Sequence, residues 1–429
     1  MKLVILDDDP TGTQTVKDLP VLTVWDKDSL AREFENPAPA FFILTNTRAM
    51  PRKEAGDIVQ TIARNLKQAA GSIPFTVISR SDSTLRGHFP LETDLLNENL
   101  GPFQATLFIP YFEAGGRVTI KDVHYIREGN DLTPVAKSPF AKDPAFGFTA
   151  SNLKDFIVEK TNGGVHRSAV VSVQTGLNPN KIAELLIQCS QGSYVIVNAE
   201  CREDLDVFCQ GLSIAEQSGC RYLFRTAAEF VRCRLGQAPN QALETTPFRN
   251  TNRGGLIVAG SYVPKTTEQL EFLTRNADLE TIELDVATIL RGEIDYNIIK
   301  GQICLHLDKG RNVLLMTSRE LIQDPDPDKS LQIGQKISTT LVEVVRSLPK
   351  CPAWILAKGG ITSSDIATDS LGIQRAQILG QIIPGVPVWL SGGESYFPGL
   401  PFIVFPGNVG SQNSLLEVVE LANSFSQSC

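Results

Sequence analysis

Histidine is scarce in this chain, with 4 among 429 residues, and methionine and tryptophan number only 3 each. So few imidazoles argue against a histidine-built metal centre. The 8 cysteines contain no C-x-x-C pair and match no zinc spacing. Scattered through apolar stretches, they read as buried free thiols of a reducing compartment rather than as disulfides. No apolar span approaches the ~20 residues that a membrane helix needs. The apolar start, Met1-Lys2-Leu3-Val4-Ile5-Leu6, is short and runs into three aspartates, so it reads as a buried strand. The chain is therefore expected in the cytoplasm, away from membranes. A positive field is lacking too: the net charge is −8, which provides nothing global to recruit nucleic acid. Internal repeats and low-complexity tracts are absent, as are the phosphate-loop pattern G-x-x-x-x-G-K-[ST] and the dinucleotide pattern G-x-G-x-x-G.

What is present suits a globular protein with two cores: 42% apolar and 21% charged residues over a length comfortable for two domains. Short apolar runs alternate with helical patterns, the mark of α/β architecture with mostly parallel sheets flanked by helices. In the first half, strands are expected at Lys2–Leu6, Val21–Val24, Phe41–Leu44, Phe75–Ser79, Ala105–Ile109, Ala169–Val173 and Tyr194–Asn198. Helices are expected at Arg52–Ala69, Pro90–Leu100, Asn152–Lys160, Pro179–Cys189 and Arg202–Ser218, with Pro90 and Pro179 in first turns. The second half restarts the pattern, with strands at Gly255–Ala259, Thr281–Leu284, Asn312–Met316, Ala353–Ala357 and Val386–Leu390. Its helices are expected at Pro264–Arg275, Lys329–Arg346 and Ser411–Phe425. Gly236–Gly254, rich in Gln, Asn, Thr, Pro and Arg, reads as a linker, dividing residues 1–235 from 255–429. Gln323–Lys329 reads as a surface loop. Gly115–Ala150 lacks a clean period and reads as an excursion with a hairpin near Arg117–Ile126.

Polar residues gather where strands end. Strand one runs into Asp7-Asp8-Asp9-Pro10-Thr11-Gly12-Thr13, and the C-terminal end of a parallel strand is where such sheets bind ligands. Three adjacent acids cannot all be buried and charged alone, so a cation, an arginine or a substrate hydroxyl is expected beside them. Later strands end in Thr45-Asn46-Thr47-Arg48 and in Arg80-Ser81-Asp82-Ser83-Thr84-Leu85-Arg86-Gly87-His88. Arginine forks match carboxylates and phosphates, while hydroxyls and an aspartate suit a polyol, so these parts would hold a small hydroxylated acid. A capped polar loop would use similar residues, and His88 serves a structural role as readily as a catalytic one. The Tyr111–Tyr125 stretch reads equally as a substrate cover or as packing.

In the second half, glycine-bearing turns follow strands at Gly260-Ser261, Lys358-Gly359-Gly360-Ile361-Thr362-Ser363-Ser364-Asp365, Ser391-Gly392-Gly393-Glu394 and Pro406-Gly407-Asn408-Val409-Gly410-Ser411. Turns of this kind expose backbone N–H groups ahead of a helix, which favours phosphate. Several in one domain point to a nucleotide.

Taken together and in order along the chain, Asp8-Asp9-Pro10-Thr11-Gly12, Thr45-Asn46-Thr47-Arg48, Ser81-Asp82-Ser83-Thr84-Leu85-Arg86-Gly87, Gly260-Ser261, Lys358 to Asp365 and Pro406 to Gly410 resemble the four-carbon acid sugar kinase family. The resemblance implies an N-terminal sugar-acid domain, a C-terminal nucleotide domain and an active site in the cleft between them. It implies that Asp8, Asp9, Arg48, Arg80, Ser81, Asp82, Ser83 and Arg86 serve the substrate. It implies that Ser261, Gly359, Gly360, Ile361, Thr362 and a glycine of Gly407 to Gly410 serve ATP, with Mg²⁺ bridging its phosphates. No protein ligand to metal is assigned. The chain departs from the family in having Asp7-Asp8-Asp9-Pro10 where Ala-Asp-Asp-Phe is usual, and Arg80 where Lys is common.

The expected reaction is in-line transfer of a phosphoryl group from ATP to a sugar-acid hydroxyl. Asp9, with Asp82 as second candidate, would accept the proton, and Arg48 and Arg80 would anchor the carboxylate. Two rivals use the same residues. Asp7-x-Asp9-x-Thr11 fits a haloacid-dehalogenase-like phosphatase, and a non-catalytic sugar-acid sensor would keep the fold without turnover. The acid, the hydroxyl and the oligomeric state are not legible; a homodimer is left open.

Overall fold

The computed structural model describes residues 1–239, 243, 248, 251–260, 263–319 and 327–427. They fall into two compact units, Met1–Pro239 and Asn240–Cys429. The expected linker is described only in part. Within it Phe248 is buried in the core of the second unit. Residues 323–326 of the expected surface loop lie outside the described residues.

The first unit is built on strands β1 (Lys2–Asp7), β2 (Leu19–Leu22), β3 (Ala40–Leu44), β4 (Phe75–Arg80) and β5 (Ala105–Ile109). Then come β6 (Arg117–Ile120), β7 (Val123–Glu128), β8 (Asp131–Pro134), β9 (Val170–Val173), β10 (Ser193–Val197) and β11 (Tyr222–Thr226). Its helices are α1 (Lys27–Glu35), α2 (Arg52–Ala70), α3 (Leu91–Leu100), α4 (Leu153–Lys160), α5 (Pro179–Gln188), α6 (Arg202–Gln217) and α7 (Ala228–Arg234). The sheet order β2-β3-β1-β4-β11-β5-β10-β9 is parallel throughout. Parallel strands are covered on both faces, which is why β1 and β3 read as continuous apolar runs.

Helix α2 shows how sequence makes the cover. Ala55, Val59, Ile62, Ala63, Leu66 and Ala70 recur at helical spacing and are its buried stripe, packed with Val4, Phe41 and Val77. Burying Val59, Ile62 and Leu66 contributes roughly 2 kcal/mol each. Gly71, at φ +53°, ends the helix. Farther across the same face of the sheet lie Phe89, Phe108 and Phe156. The 111–150 excursion is ordered: β6, β7 and β8 form an antiparallel three-stranded sheet, the expected hairpin with one more strand.

Helix α1 and strand β11 are not foreseen. In α1 the buried apolar residues are Leu30 and Phe34 alone, and the start is set by the Asp26 cap, whose carboxylate accepts from the amides of Asp28 and Ser29. In β11, Tyr222-Leu223-Phe224-Arg225-Thr226, a charged residue interrupts the apolar run. Pro179 opens α5, whereas Pro90 stands one residue before α3 as its cap.

The second unit comprises β12 (Leu256–Ala259), β13 (Leu279–Leu284), β14 (Asn312–Thr317), β15 (Ile355–Lys358), β16 (Arg375–Ile383), β17 (Val386–Ser391) and β18 (Pro401–Phe405). Its helices are α8 (Pro264–Asn276), α9 (Val286–Arg291), α10 (Tyr296–Leu307), α11 (Pro327–Arg346), α12 (Gly360–Asp365) and α13 (Ser414–Gln427). The order is β13-β14-β12-β15-β18-β17-β16, parallel up to β18; β17 runs antiparallel to both its neighbours. Trp354, Leu356, Ile403 and Val418 anchor the core.

Among the described residues seven cysteines are free; Cys189 and Cys233 are buried and Cys201 is exposed. No described helix is long and apolar enough to cross a membrane.

Candidate active site

In the first unit, β1 lies between β3 and β4, with Asp7 beside both Leu44 and Arg80. β11 pairs on the far side of β4, Thr226 beside Arg80. Because these strands are parallel, the residues that follow each of them collect at one end of the sheet. That end holds Asp8 and Asp9, Thr45 to Arg48, and the Ser81–His88 loop.

The three adjacent acids have different fates. Asp7 is 1% exposed and accepts from Arg80 Nη1 at 2.8 Å. Burial pushes its carboxyl up to about 7, with Arg80 pulling the other way. A Cβ on Gly12 would lie 2.1 Å from Asp7 Oδ2 and 2.5 Å from Arg80 Cζ, so only glycine lets the turn close over this pair. Asp8 is 3% exposed and accepts from Arg48 Nη2 at 2.6 Å and from the Ser81 hydroxyl. Burial works against its charge, but the Arg48 cation outweighs it and holds the carboxyl below its ordinary value. Asp9 caps the turn at Pro10–Thr15 by accepting from the Thr11 amide at 2.8 Å. Its Oδ2 lies 3.6 Å from Arg48, and its side chain, 18% exposed, is the most open of the three.

The Ser81–His88 loop is braced from inside. Asp82 accepts from the Thr84 hydroxyl and from Arg86 Nε at 2.7 Å. Burial alone would raise its carboxyl, yet the Arg86 and Arg48 charges and these hydrogen bonds hold it well below the usual range. Gly87 has φ +128°, and a Cβ there would meet Arg225 Nη2 at 2.6 Å and Ser81 Oγ at 2.7 Å. His88 is structural: its buried ring sits 3.0 Å from the carbonyls of Thr47 and Met50 and edge-on to Phe146.

Arg225 escaped the sequence reading, while His124 and Lys358 fell inside longer stretches and were given no role of their own. Arg225, on β11, donates to Glu92 at 3.3 Å, and Glu92 also accepts from Thr47 Oγ1 at 2.6 Å, so one buried acid joins the β3 turn to β11. Arg225 is the penultimate residue of β11, beside Ser79, and a cation so near the end of an apolar run is a signal that could have found it. His124, on β7, puts Nε2 at 2.8 Å from the Ser83 carbonyl and Nδ1 at 3.0 Å from Thr119 Oγ1. A carbonyl only accepts, so Nε2 carries the proton and Nδ1 accepts from the hydroxyl. Burial lowers the ring to about 4 and keeps it neutral.

In the second unit the ends of β12, β15 and β18 stand side by side, because β15 pairs with both the others. Gly359, at φ +107°, leads into α12, whose first amides, those of Gly360, Ile361 and Thr362, precede any intrahelical acceptor. The 406–411 turn is held by α8: Thr266 Oγ1 donates to the Gly407 carbonyl at 3.3 Å, and Gln269 Nε2 to the Val409 and Ser411 carbonyls at 3.0 and 2.8 Å. Gly410 sits in the left-handed region. Ser261 lies outside the described residues. The turn Ser391-Gly392-Gly393-Glu394 does not join the group. It follows an antiparallel strand and so lies at the other end of the sheet, where Glu394 accepts from the Gln374 and Arg375 amides.

Lys358 heads the glycine-bearing motif without an assigned role there. It is fully buried, donates to the Pro406 and Gly407 carbonyls at 2.6 and 3.3 Å, and has no carboxylate partner among the described residues. It ties the turn after β18 to the one after β15. Burial, with Lys265 adding repulsion, lowers it from 10.5 to about 7. Between those values the unfolded chain holds the proton that the folded chain has shed, so this residue's contribution to stability rises with pH; below about 7 the penalty of burying an ammonium is present in full. Melting curves of wild type and Lys358→Met from pH 7 to 10 should therefore diverge in favour of wild type as pH rises. A difference that does not change with pH would count against the assignment.

The family description "sugar-binding N-terminal domain" matches residues 3–234, and "nucleotide-binding C-terminal domain" matches residues 256–415. The chain belongs to the four-carbon acid sugar kinase family. Family relatives include the D-erythronate kinase of Heliobacterium modesticaldum, 24% identical over 62% of this chain and 58% of that protein. The 3-oxo-tetronate kinase of Pseudomonas savastanoi pv. phaseolicola is 21% identical over 88% of this chain and 85% of that protein. The match to the first thus spans less than two thirds of its length. Two crystal structures share the fold alone. One is a Haemophilus influenzae protein at TM-score 0.65, 18% identical, covering 99% of this chain and 100% of that one. The other, a Salmonella typhimurium protein described as a candidate tRNA synthase, has TM-score 0.69 and 16% identity, covering 97% and 98%.

Proposed function

We propose that this chain is an ATP-dependent kinase that phosphorylates a hydroxyl of a small, four-carbon sugar acid. One observation carries the reading. The unit that matches a sugar-binding domain collects acids and arginines at its strand ends, while the unit that matches a nucleotide-binding domain sets amide-bearing turns after the neighbouring strands β15 and β18.

In this reading Asp9 accepts the proton of the attacking hydroxyl. Asp8 is engaged by Arg48 and Ser81, and Asp82 by Arg86 and Thr84, so both serve to shape the pocket. A carboxylate held so far into its ionised form is a weak base. Arg48, Ser81, Ser83 and Arg86 line the substrate, and Arg80 acts through Asp7. The amides of Gly360, Ile361 and Thr362, with the Gly359, Gly407 and Gly410 turns, offer donors that fit phosphate oxygens. Among the described residues no three His, Cys, Asp or Glu side chains are grouped to cage a metal. Magnesium brought with the nucleotide would neutralise the charge that develops on its phosphates.

The phosphatase reading needs Asp7 as an accessible nucleophile, whereas Asp7 is buried against Arg80 and Gly12. A coupled ADP-release assay over D-erythronate, D-threonate and L-threonate tests the proposal. ADP should form only when an acid is present. Phosphate release without ATP would favour the phosphatase, and binding of both ligands with no ADP would favour the sensor.

A further inference from the structure

Five arginines gather around the Ser81–His88 loop, and four have carboxylate partners. Arg80 donates to Asp7 at 2.8 Å, Arg48 to Asp8 at 2.6 Å, Arg86 to Asp82 at 2.7 Å, and Arg225 to Glu92 at 3.3 Å. The fifth, Arg117 on β6, has no carboxylate partner among the described residues. Its one hydrogen bond goes to the carbonyl of Gly115, and its Nε is buried with no acceptor. Its guanidinium and that of Arg86 both lie over the Phe140 ring, 5.7 and 5.0 Å from the centroid. Burial disfavours its charge, Asp82 favours it in part, Arg86 repels it, and Glu128 adds a weaker attraction, with neither acid within ion-pair distance.

A guanidinium does not shed its proton at ordinary pH, so a half-buried one without an anion is a standing cost to the fold. The structure around it is rigid. His124 ties β7 to the Ser83 carbonyl, Thr119 of β6 exchanges backbone hydrogen bonds with Ala199 at 2.9 and 3.1 Å, and Asp122 accepts from Asn198 Nδ2 at 2.8 Å. The side sheet thus holds an unpaired fork at a set place beside Arg86. That is how a binding group is preorganised: the missing partner is a small anion that arrives from outside.

We propose that Arg117, with Arg86 across the Phe140 ring, is the anchor for the substrate carboxylate, and that the 111–150 excursion exists to carry it. The identity of the anion rests on the kinase reading above; the unpaired site does not. Arg48 and Arg80 also bury an Nε without an acceptor, but each is paired with a carboxylate, as Arg86 is with Asp82; of the five, Arg117 is the one with no carboxylate pair among the described residues. The consequence is selectivity for acids over the matching uncharged polyols.

The test uses the full chain with Arg117→Ala and Arg117→Lys, read by ADP-release kinetics and by calorimetric titration with D-erythronate, D-threonate and L-threonate. In Arg117→Ala the KM and Kd for the best-bound acid should rise about 10- to 100-fold. The KM for ATP should stay within about twofold, the precision of such measurements, because the arginine belongs to the substrate end. Lysine should restore only part of the loss, since a point charge lacks the fork. An unchanged KM for the acid overturns the proposal, and so does a rise confined to ATP or shared equally by both. Should Arg117→Ala fold poorly, Arg117→Gln carries the same expectations. If wild type makes no ADP with any of the acids, the kinase reading falls. Acid binding lost in Arg117→Ala would still uphold the anchor, and binding equal to wild type, or none by wild type, would sink it.

Discussion

Asp9→Asn should lose about 10²- to 10⁴-fold in kcat, the range a positioned general base supplies, while the KM for ATP stays near wild type. The substitution is chosen because asparagine keeps the local structure. Asp9 Oδ1 caps the Pro10–Thr15 turn by accepting from the Thr11 amide at 2.8 Å, and an asparagine oxygen caps as well. What disappears is the basic oxygen, along with a 3.6 Å attraction to Arg48. The melting temperature should therefore move little, so a fall in kcat would report chemistry and not folding. Steady-state rates at saturating acid, with a melting curve beside them, make the measurement. Undiminished turnover would remove Asp9 as the base and send the search to Asp82, despite the hold that Arg86 has on it.

The second large effect is on stability. Arg225→Met leaves Glu92 buried with its cation gone, and breaking a buried pair from one side costs about 3–5 kcal/mol. In a unit of this size that lowers the melting temperature by roughly 2–4 °C per kcal/mol. The double variant Glu92→Gln with Arg225→Met should recover much of the loss, because no charge is then stranded and the amide can still accept from Thr47 Oγ1. Equal stability of the single variant and wild type would mean that Glu92 finds another partner. The same network reaches the substrate loop, since Arg225 Nη2 lies 3.5 Å from the Arg86 carbonyl, so the single variant should also loosen the pocket.

Strands β1, β3, β4 and β5 were legible because parallel strands buried on both faces need mostly apolar runs, and such runs are visible in a single sequence. They are unbroken in β1 and β3 and interrupted only by threonine and serine in β4 and β5. The polar clusters after β1, β3 and β4 were legible for the same reason: where the run stops, the ligand end of the sheet begins. Less was visible where burial is mixed. β11 carries Arg225 inside its run, and β6 and β7 are only half covered. The Ser391–Glu394 turn resembles the others in composition and is separated from them only by the antiparallel course of β17.

From the order of residues alone came the α/β class, the motifs at the strand ends and the likeness to a sugar-acid kinase family, since apolar periodicity and turn chemistry are local properties. Which charges pair was settled only by the tertiary structure. Asp7 meets Arg80 across 73 residues and Arg225 meets Glu92 across 133, because strand order, not chain distance, makes neighbours. The same folding leaves Arg117 without a carboxylate pair among the described residues, and no spacing in the sequence could have marked it, since an unpaired charge is defined by everything that packs around it.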